Sequence, residues 1–371
     1  MQQLKILLVQ LYSNGDCLYA SAVARQIKQD YPNAHLTWAI ADFCKKIIAA
    51  NPYVDDILVV DSVAKNDVVA YRRFRRKIYS EKKNGRWDEI FITNIIDDRQ
   101  ANYDGCIRSA IFRGYPNKIS VAVQPVLILL PEENNKAAAF AYTHNLHSYK
   151  EIILFEFAPQ SGQLAIDFNF AIWIAQELTR RPDVAVILSS ATKINAASDQ
   201  IIDGSVLTLR ETAALTHYCT FLIGCSSGIT WISTSSAAKR LPMIQLLNPH
   251  TKWANPISRD FERFDISSQA LIELIDFDKE KLLLVLQQAF NHFDKAKEMY
   301  HQEIPLHFKT TRNIVYNLLC YLQFSAIRRH IRVNNEVYGR NLAFYKELCI
   351  GFLIFPFRLV GNFVSKKIIR D

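Results

Sequence analysis

Along the first 130 residues, short apolar runs alternate with longer segments in which apolar positions recur every three or four residues. Leu4–Leu11 is a near-continuous apolar run, the pattern of a strand buried on both faces of a parallel sheet. Cys17–Tyr31 carries Leu18, Val23 and Ile27 at helical spacing, and Tyr31-Pro32-Asn33 stops it. His35–Ile40 predicts a second strand, Ala41–Ala50 a helix, and Ile57–Val60, Glu89–Thr93 and Lys118–Val123 three further strands. The alternation pauses over Pro131–Lys150 and then restarts. Strands are expected at Glu151–Phe157, Val184–Ser189, Val206–Leu209, Phe221–Gly224 and Met243–Leu247, the last clear one. Helices are expected at Phe168–Arg180, Thr212–Tyr218 and Gly228–Lys239. From Asp278 onward the pattern is helical, with Leu282–Tyr300 amphipathic. Alternation of this kind implies right-handed βαβ units. The expected architecture is α/β: a Rossmann-like domain over 1–145, a second over 146–277, and a helical extension over 278–371.

The 371 residues and their 50% hydrophobic content suffice for two cores. Seven scattered cysteines, none in a C-x-x-C pair, argue against a disulfide framework or a zinc site and fit a reducing cytosol. Met1–Val9 has no cationic leader pattern, which adds to the cytoplasmic expectation. The net charge of +8 is uneven. His301–Asp371 holds eleven Lys/Arg against four Asp/Glu, and Tyr71–Arg86 holds eight cations against Glu81. Such clusters attract anionic partners. No stacking-aromatic motif points to nucleic acid. In the basic helix, Tyr71, Phe74 and Ile78 share one face. Arg72, Arg73 and Arg76 are then candidate contacts to an anionic acceptor, beside the alternative of a solvated face.

Ligands of open α/β sheets bind beyond the carboxyl ends of the strands. After the first strand comes Ser13-Asn14-Gly15-Asp16, where a carboxylate at a helix start can take a proton from a hydroxyl or merely cap the helix. Ser13, Asn14 and Gly15 are candidate acceptor contacts beside it. Between a second-half strand and helix lies Gly224-Cys225-Ser226-Ser227-Gly228-Ile229-Thr230, whose small residues and hydroxyls suit a phosphate at a helix N-terminus. Glu156–Gln163 opens a polar loop, so Glu156, Ser161, Gly162 and Gln163 join Ser226, Ser227, Gly228, Ile229 and Thr230 as donor-site candidates. No metal site is expected: Asp276-Phe277-Asp278 reads as a helix cap, and His144 and His147 as surface residues.

Lys5–Val60 resembles the opening of the heptosyltransferase-like glycosyltransferases, family nine of the sugar-transferase classification. The shared features are the serine turn with Gly15-Asp16, Tyr31-Pro32, Trp38, and Asn51-Pro52 leading to Val54-Asp55. Leu209–Leu215 followed by Phe221–Gly228 is similar to that family's donor-site strand, turn and helix. The resemblance implies two facing Rossmann-like domains (the GT-B fold), no metal or other cofactor, and inversion at the anomeric carbon. Asp16 would be the general base, and Ser226–Thr230 would hold the donor diphosphate. The chain departs from the family pattern at Gln10, at Ser226 and over Pro159–Gln163, which leaves the donor open. The implied function is transfer from a nucleotide-sugar donor to a glycan or lipid-linked acceptor. A nucleotide-sugar 2-epimerase and a non-catalytic binding protein are the alternatives. The apolar run Leu348–Val364, with Lys366, Lys367 and Arg370 after it, is expected to bind an anionic membrane surface at the cytoplasmic face of the inner membrane, beside the alternative of a final helix that packs back on the N-terminal domain. Truncation after Gly339 is expected to leave a folded protein.

Overall fold

The computed structural model describes residues 3–157, 164, 166–195, 198–248 and 256–368, with side chains to residue 359. The first apolar runs form β1 (Lys5–Val9), β2 (His35–Ile40), β3 (Asp56–Val59) and β4 (Glu89–Ile92), in the order β3-β2-β1-β4 with every neighbouring pair parallel. Leu7 pairs with Thr37 on one side and Ile90 on the other. Helices α1 (Asn14–Asp30), α2 (Val68–Lys83) and α3 (Ile107–Phe112) cover this sheet. On α2, Tyr71, Phe74 and Ile78 are the buried face, as their spacing predicts.

The second block gives α4 (Pro131–Thr143), β5 (Glu151–Glu156), α5 (Phe168–Leu178), β6 (Val184–Ser189), β7 (Ile201–Asp203), α6 (Leu209–Leu215), β8 (Phe221–Gly224), α7 (Gly228–Ile232), β9 (Met243–Leu246), α8 (Ile257–Arg263) and β10 (Leu271–Leu274). The strands form a parallel sheet in the order β10-β9-β8-β5-β6-β7. Because strand side chains alternate, Ile153 and Phe155 face one core with α5, while Ile152 and Leu154 face another with α4 and α6. The expected pair of Rossmann-like sheets is therefore present. In both, the strand order reverses about one central strand, β1 in the first and β5 in the second.

The sequence pattern misplaces several elements. Lys118–Val123 is not a strand. Its backbone is held instead by side chains of α1, with Ser120 N–H donating to Gln26 Oε1 at 2.7 Å and Arg25 donating to the Ala122 carbonyl at 2.8 Å. Val206–Leu209 is not a strand either; the edge strand is Ile201–Asp203. Thr208 caps α6 through a reciprocal pair with Glu211. The helix expected to reach Lys239 ends at Ile232, where Ser233 and Thr234 turn their hydroxyls back onto the Thr230 and Trp231 carbonyls. Asp42–Ile48 is a 3-10 helix, and β10 is a strand beyond the one expected to be last. The single helix expected over Leu282–Tyr300 is two, α9 (Lys279–Asn291) and α10 (Phe293–Tyr300), divided at the extended His292.

Three helices close the chain: α11 (Lys309–Cys320), α12 (Phe324–Tyr338) and α13 (Leu342–Ile368). They return to the first half, where Phe308, Ile314, Leu318, Ile327, Phe344 and Leu348 enclose Ala101, Tyr103 and Ala110. Part of the positive charge expected to make this segment a membrane tail is paired within the fold. Arg329 pairs with Asp98, Arg312 with Glu347, and Arg358 donates to Asn313. Removing everything after Gly339 would strip Phe344 and Leu348 from a core, so that truncation does not leave the packing intact. Among the described residues, no helix is long and apolar enough to cross a membrane.

Candidate functional site

A cleft of about 990 Å³ lies between the two halves. Ser13–Asp16, which follow β1, line it, as do Glu156 at the end of β5 and Ser226–Ile229 between β8 and α7. These are the positions a switch of strand order opens to ligands. The two sides meet directly: a Cβ at Gly15 would lie 3.5 Å from Trp231 Cδ1, and the Tyr19 and Trp231 rings are 5.1 Å apart edge to face.

Ser13 is the N-cap of α1, so Asp16 stands three residues into the helix and is not itself the cap. Desolvation in the cleft wall pushes its pKa up to about 7, opposed by the Lys65 charge and by the hydrogen bond its carboxylate accepts from Ser13 N–H. Asn14 Oδ1 is buried and has no hydrogen-bond partner among the described residues. The turn before Asp16 is tied down by Gln10, which is fully buried. Gln10 donates to the Tyr12 carbonyl at 2.6 Å and accepts from Thr93 Oγ1 at 2.9 Å.

Across the cleft, the β8–α7 turn is less open than its sequence suggests. Glu156 is buried, and its carboxylate accepts from Cys225 N–H at 3.3 Å and from the Ser227 hydroxyl, with further bonds from Ile229 N–H and Thr230. Burial raises its pKa, against the pull of these donors. Gln245 on β9 takes the next pair, accepting from Ser226 N–H at 2.9 Å and Thr230 Oγ1 at 3.0 Å. A Cβ at Gly224 would sit 2.5 Å from Gln245 Nε2, so only glycine admits that amide beside the turn. The structure thus brings Glu156, Ser226, Ser227, Gly228, Ile229 and Thr230 together, with a carboxylate already bonded where a phosphate was expected. Ser161, Gly162 and Gln163 lie outside the described residues.

The basic helix does not deliver its cations to the cleft wall. Arg72 pairs with Asp97 and stacks over Tyr321 at 3.7 Å, while Arg73 and Arg76 are exposed on the outer side. Among the described residues, the charged groups lining the cleft are Lys65, Asp16, Asp97, Glu156 and Asp260. Asp260 reaches from α8 to the fully buried Arg108 on α3 at 2.9 Å and accepts from Cys106 Sγ at 3.1 Å. Arg263 on α8 also meets Asp104 at 2.6 Å, so ion pairs join the halves beneath the cleft. Lys65, Gln245 and Asp260 stand alone outside any motif and carry no signal in the sequence, whereas Trp231 directly follows the 224–230 turn and could have been found from it. Asp278 caps α9, accepting from Lys281 N–H at 2.7 Å, and no cluster of His, Cys, Asp and Glu among the described residues could hold a metal ion.

No protein-family model matches the sequence, and no curated protein matches it. Solved structures do share its fold. A glycosyl transferase of family 9 from Veillonella parvula is 14% identical, with a TM-score of 0.51 over 81% of this chain and 96% of that one. The ADP-heptose lps heptosyltransferase II of E. coli is 13% identical, with a TM-score of 0.52 over 78% and 100%. A UDP-N-acetylglucosamine 2-epimerase is 11% identical over 92% and 98%, with a TM-score of 0.47. At these identities the first two neighbours establish the two-domain fold.

Proposed function

We propose that this chain is a glycosyltransferase that moves a sugar from a nucleotide-sugar donor to a hydroxyl of a glycan or lipid-linked acceptor, of the cell-envelope polysaccharide or lipopolysaccharide type. Asp16 carries the reading: a carboxylate at a switch point, opposite the β8–α7 turn, with a pKa near 7. A base poised near the working pH combines the ionised state with useful proton affinity. The names of the two fold neighbours, both sugar transferases, support it.

In this mechanism Ser13 and Asn14 place the acceptor hydroxyl against Asp16. The hydroxyl oxygen bonds to the anomeric carbon as its proton passes to Asp16, and the bond to the nucleoside diphosphate breaks. Lys65 and the β8–α7 turn meet the departing charge. A single displacement inverts the anomeric centre, and inversion without a metal belongs to the reading through the family resemblance. The assignment of the first half to the acceptor and the second to the donor, divided near residue 145, belongs to it too. Peripheral attachment to the cytoplasmic face of a membrane rests instead on the apolar run Leu348–Val364 and the cations after it.

A panel of nucleoside diphosphates, tested by thermal shift, should contain one that raises the melting temperature. With the matching nucleotide sugar, Asp16→Asn should cut turnover about a hundredfold or more while leaving nucleotide affinity near wild type. Unchanged turnover would remove Asp16 from the mechanism. A sugar nucleotide altered without any acceptor would identify an epimerase instead.

Glu156 favours a second reading. With a carboxylate already bonded on the turn and Lys65 the only cation lining the wall among the described residues, the cleft suits an uncharged glycan held without chemistry. Melting shifts with neutral glycans and with no nucleotide would establish that reading.

A further inference from the structure

The connection between α11 and α12, Tyr321-Leu322-Gln323, with Phe324 opening α12, is built against its own preferences. Leu322 has φ of 54°, a backbone region that a leucine rarely enters, and it is 74% exposed. Phe324 beside it is 56% exposed. The connection is nonetheless fixed to the first half. Arg72 stacks on Tyr321, and Gln323 donates to Asp97 Oδ1 at 2.7 Å. Strained, well-anchored backbone that holds apolar side chains out in water calls for an apolar medium to receive them.

The same anchor points carry a positive surface. Next to Asp97, Asp98 is held by Arg75 and by Arg329 at 3.1 Å. Beside that pair a pocket of about 570 Å³ is lined by Arg75, Arg76, Lys83 and Arg99, with Tyr79 and Ser80. Asp98 is its lining carboxylate and is already paired; the Arg99 Nε is buried with no partner. Arg73, Arg328 and Arg332 are exposed on the same two helices. The last helix points the same way. Phe344 packs on Phe308, Glu347 on Arg312 and Phe355 on Tyr316, so α13 runs parallel to α11 and passes its end, exposing Leu353 and Phe357 as it goes. Tyr321 and Gln323 also line the cleft, together with Val68 of α2.

We infer that the Tyr321–Phe324 segment is a membrane-inserting tip, with the neighbouring Arg75–Arg76–Lys83–Arg99 pocket receiving the phosphate of an anionic lipid headgroup, and that this sets the cleft mouth on the bilayer. Apolar side chains flanked by cations are the chemistry of interfacial binding to anionic lipid. The proposal moves the membrane contact from the chain terminus to the rim of the cleft. It deepens the reading of a lipid-linked acceptor, which such a placement would let enter from the bilayer.

The test is co-sedimentation of the full chain with vesicles of phosphatidylcholine, with and without phosphatidylglycerol. No donor is present, so the outcome is independent of whether sugar transfer is found. The wild type should bind the anionic vesicles at least about tenfold more tightly than the neutral ones. Leu322→Ser with Phe324→Ser should weaken binding to anionic vesicles by about tenfold or more. Arg76→Glu with Lys83→Glu should abolish the preference for phosphatidylglycerol. Each variant is to melt within a few degrees of wild type; where one does not, Leu322→Gln or Arg76→Gln alone replaces it, with a smaller loss in the same direction. Binding equal to wild type in both sets, or lost only when the chain is cut after Leu359, would overturn the proposal. So would a melting shift with inorganic phosphate alone and no vesicle binding.

Discussion

At Asp16, the difference between a catalytic base and a helix cap can be read as a pH dependence. Its pKa in the fold is raised to about 7 from 3.8, so the folded state favours the proton. The stability this contributes is complete below pH 3.8 and is lost as the pH rises through 7. Asp16→Asn should therefore be more stable than wild type by about 1–3 kcal/mol at pH 8 and similar to it near pH 4, by denaturant unfolding. A simple cap would show the opposite sign. In kinetics, the wild-type rate should climb along a limb with an apparent pKa of about 7, which the Asn variant lacks. Glu156 has a separate test. If a diphosphate approaches the β8–α7 turn, Glu156→Gln removes a like charge and should tighten nucleoside diphosphate binding by about tenfold, measured by calorimetry. Unchanged affinity would place the diphosphate elsewhere. Asp16 and the 226–230 turn are legible in the sequence because each sits at a strand end in a local pattern. The occupation of that turn by Glu156 is not, because its partners lie some seventy residues away and no spacing encodes the contact.

Among the elements, buried strands are the most legible. β1, β2, β5, β6 and β8 are buried along nearly their whole length and carry runs of apolar residues that few polar positions interrupt. Several of the failures share a cause: side chains supply hydrogen bonds that the backbone pattern cannot show. Gln26 holds the segment that looked like a strand at 118–123, and Ser233 and Thr234 end α7 early. The packing of α12 on the first half makes its own pH prediction. His330 is buried against the Ala101 carbonyl and Thr311 Oγ1, near Asn334, the Phe344 ring and the Asp104 charge. Burial pushes its pKa down to about 4 from 6.5. The folded state thus binds fewer protons than the unfolded state between these values, and stability present above pH 6.5 is lost as the pH falls towards 4. His330→Gln should flatten the wild-type loss of melting temperature between pH 7 and 4.5. An unchanged slope would assign that loss to other groups.

Over the whole molecule, the last helices form part of the first half rather than an appendage to the second. Truncation after Gly339 removes the buried Phe344 and Leu348 and strands Arg312 without Glu347. By the usual cost of emptying such sites, the loss is about 3 kcal/mol or more. A chain ending after Leu359 keeps these contacts and should melt close to wild type; a matching collapse in both would show that the terminal residues are structural. Composition and charge announced a basic terminus. They did not show its destination, since Asp98 and Glu347, which neutralise part of it, are separated from their partners in sequence.

That return of the chain has a consequence for synthesis on the ribosome. Ala101, Tyr103 and Ala110 emerge early, but the residues that cover them, from Phe308 to Leu348, emerge only much later. At ordinary elongation rates of roughly 5–20 residues per second, this apolar face waits on the order of ten to fifty seconds for its cover. The second sheet can close on itself in that interval. The nascent first half therefore offers chaperones an uncovered face until the final helices are released.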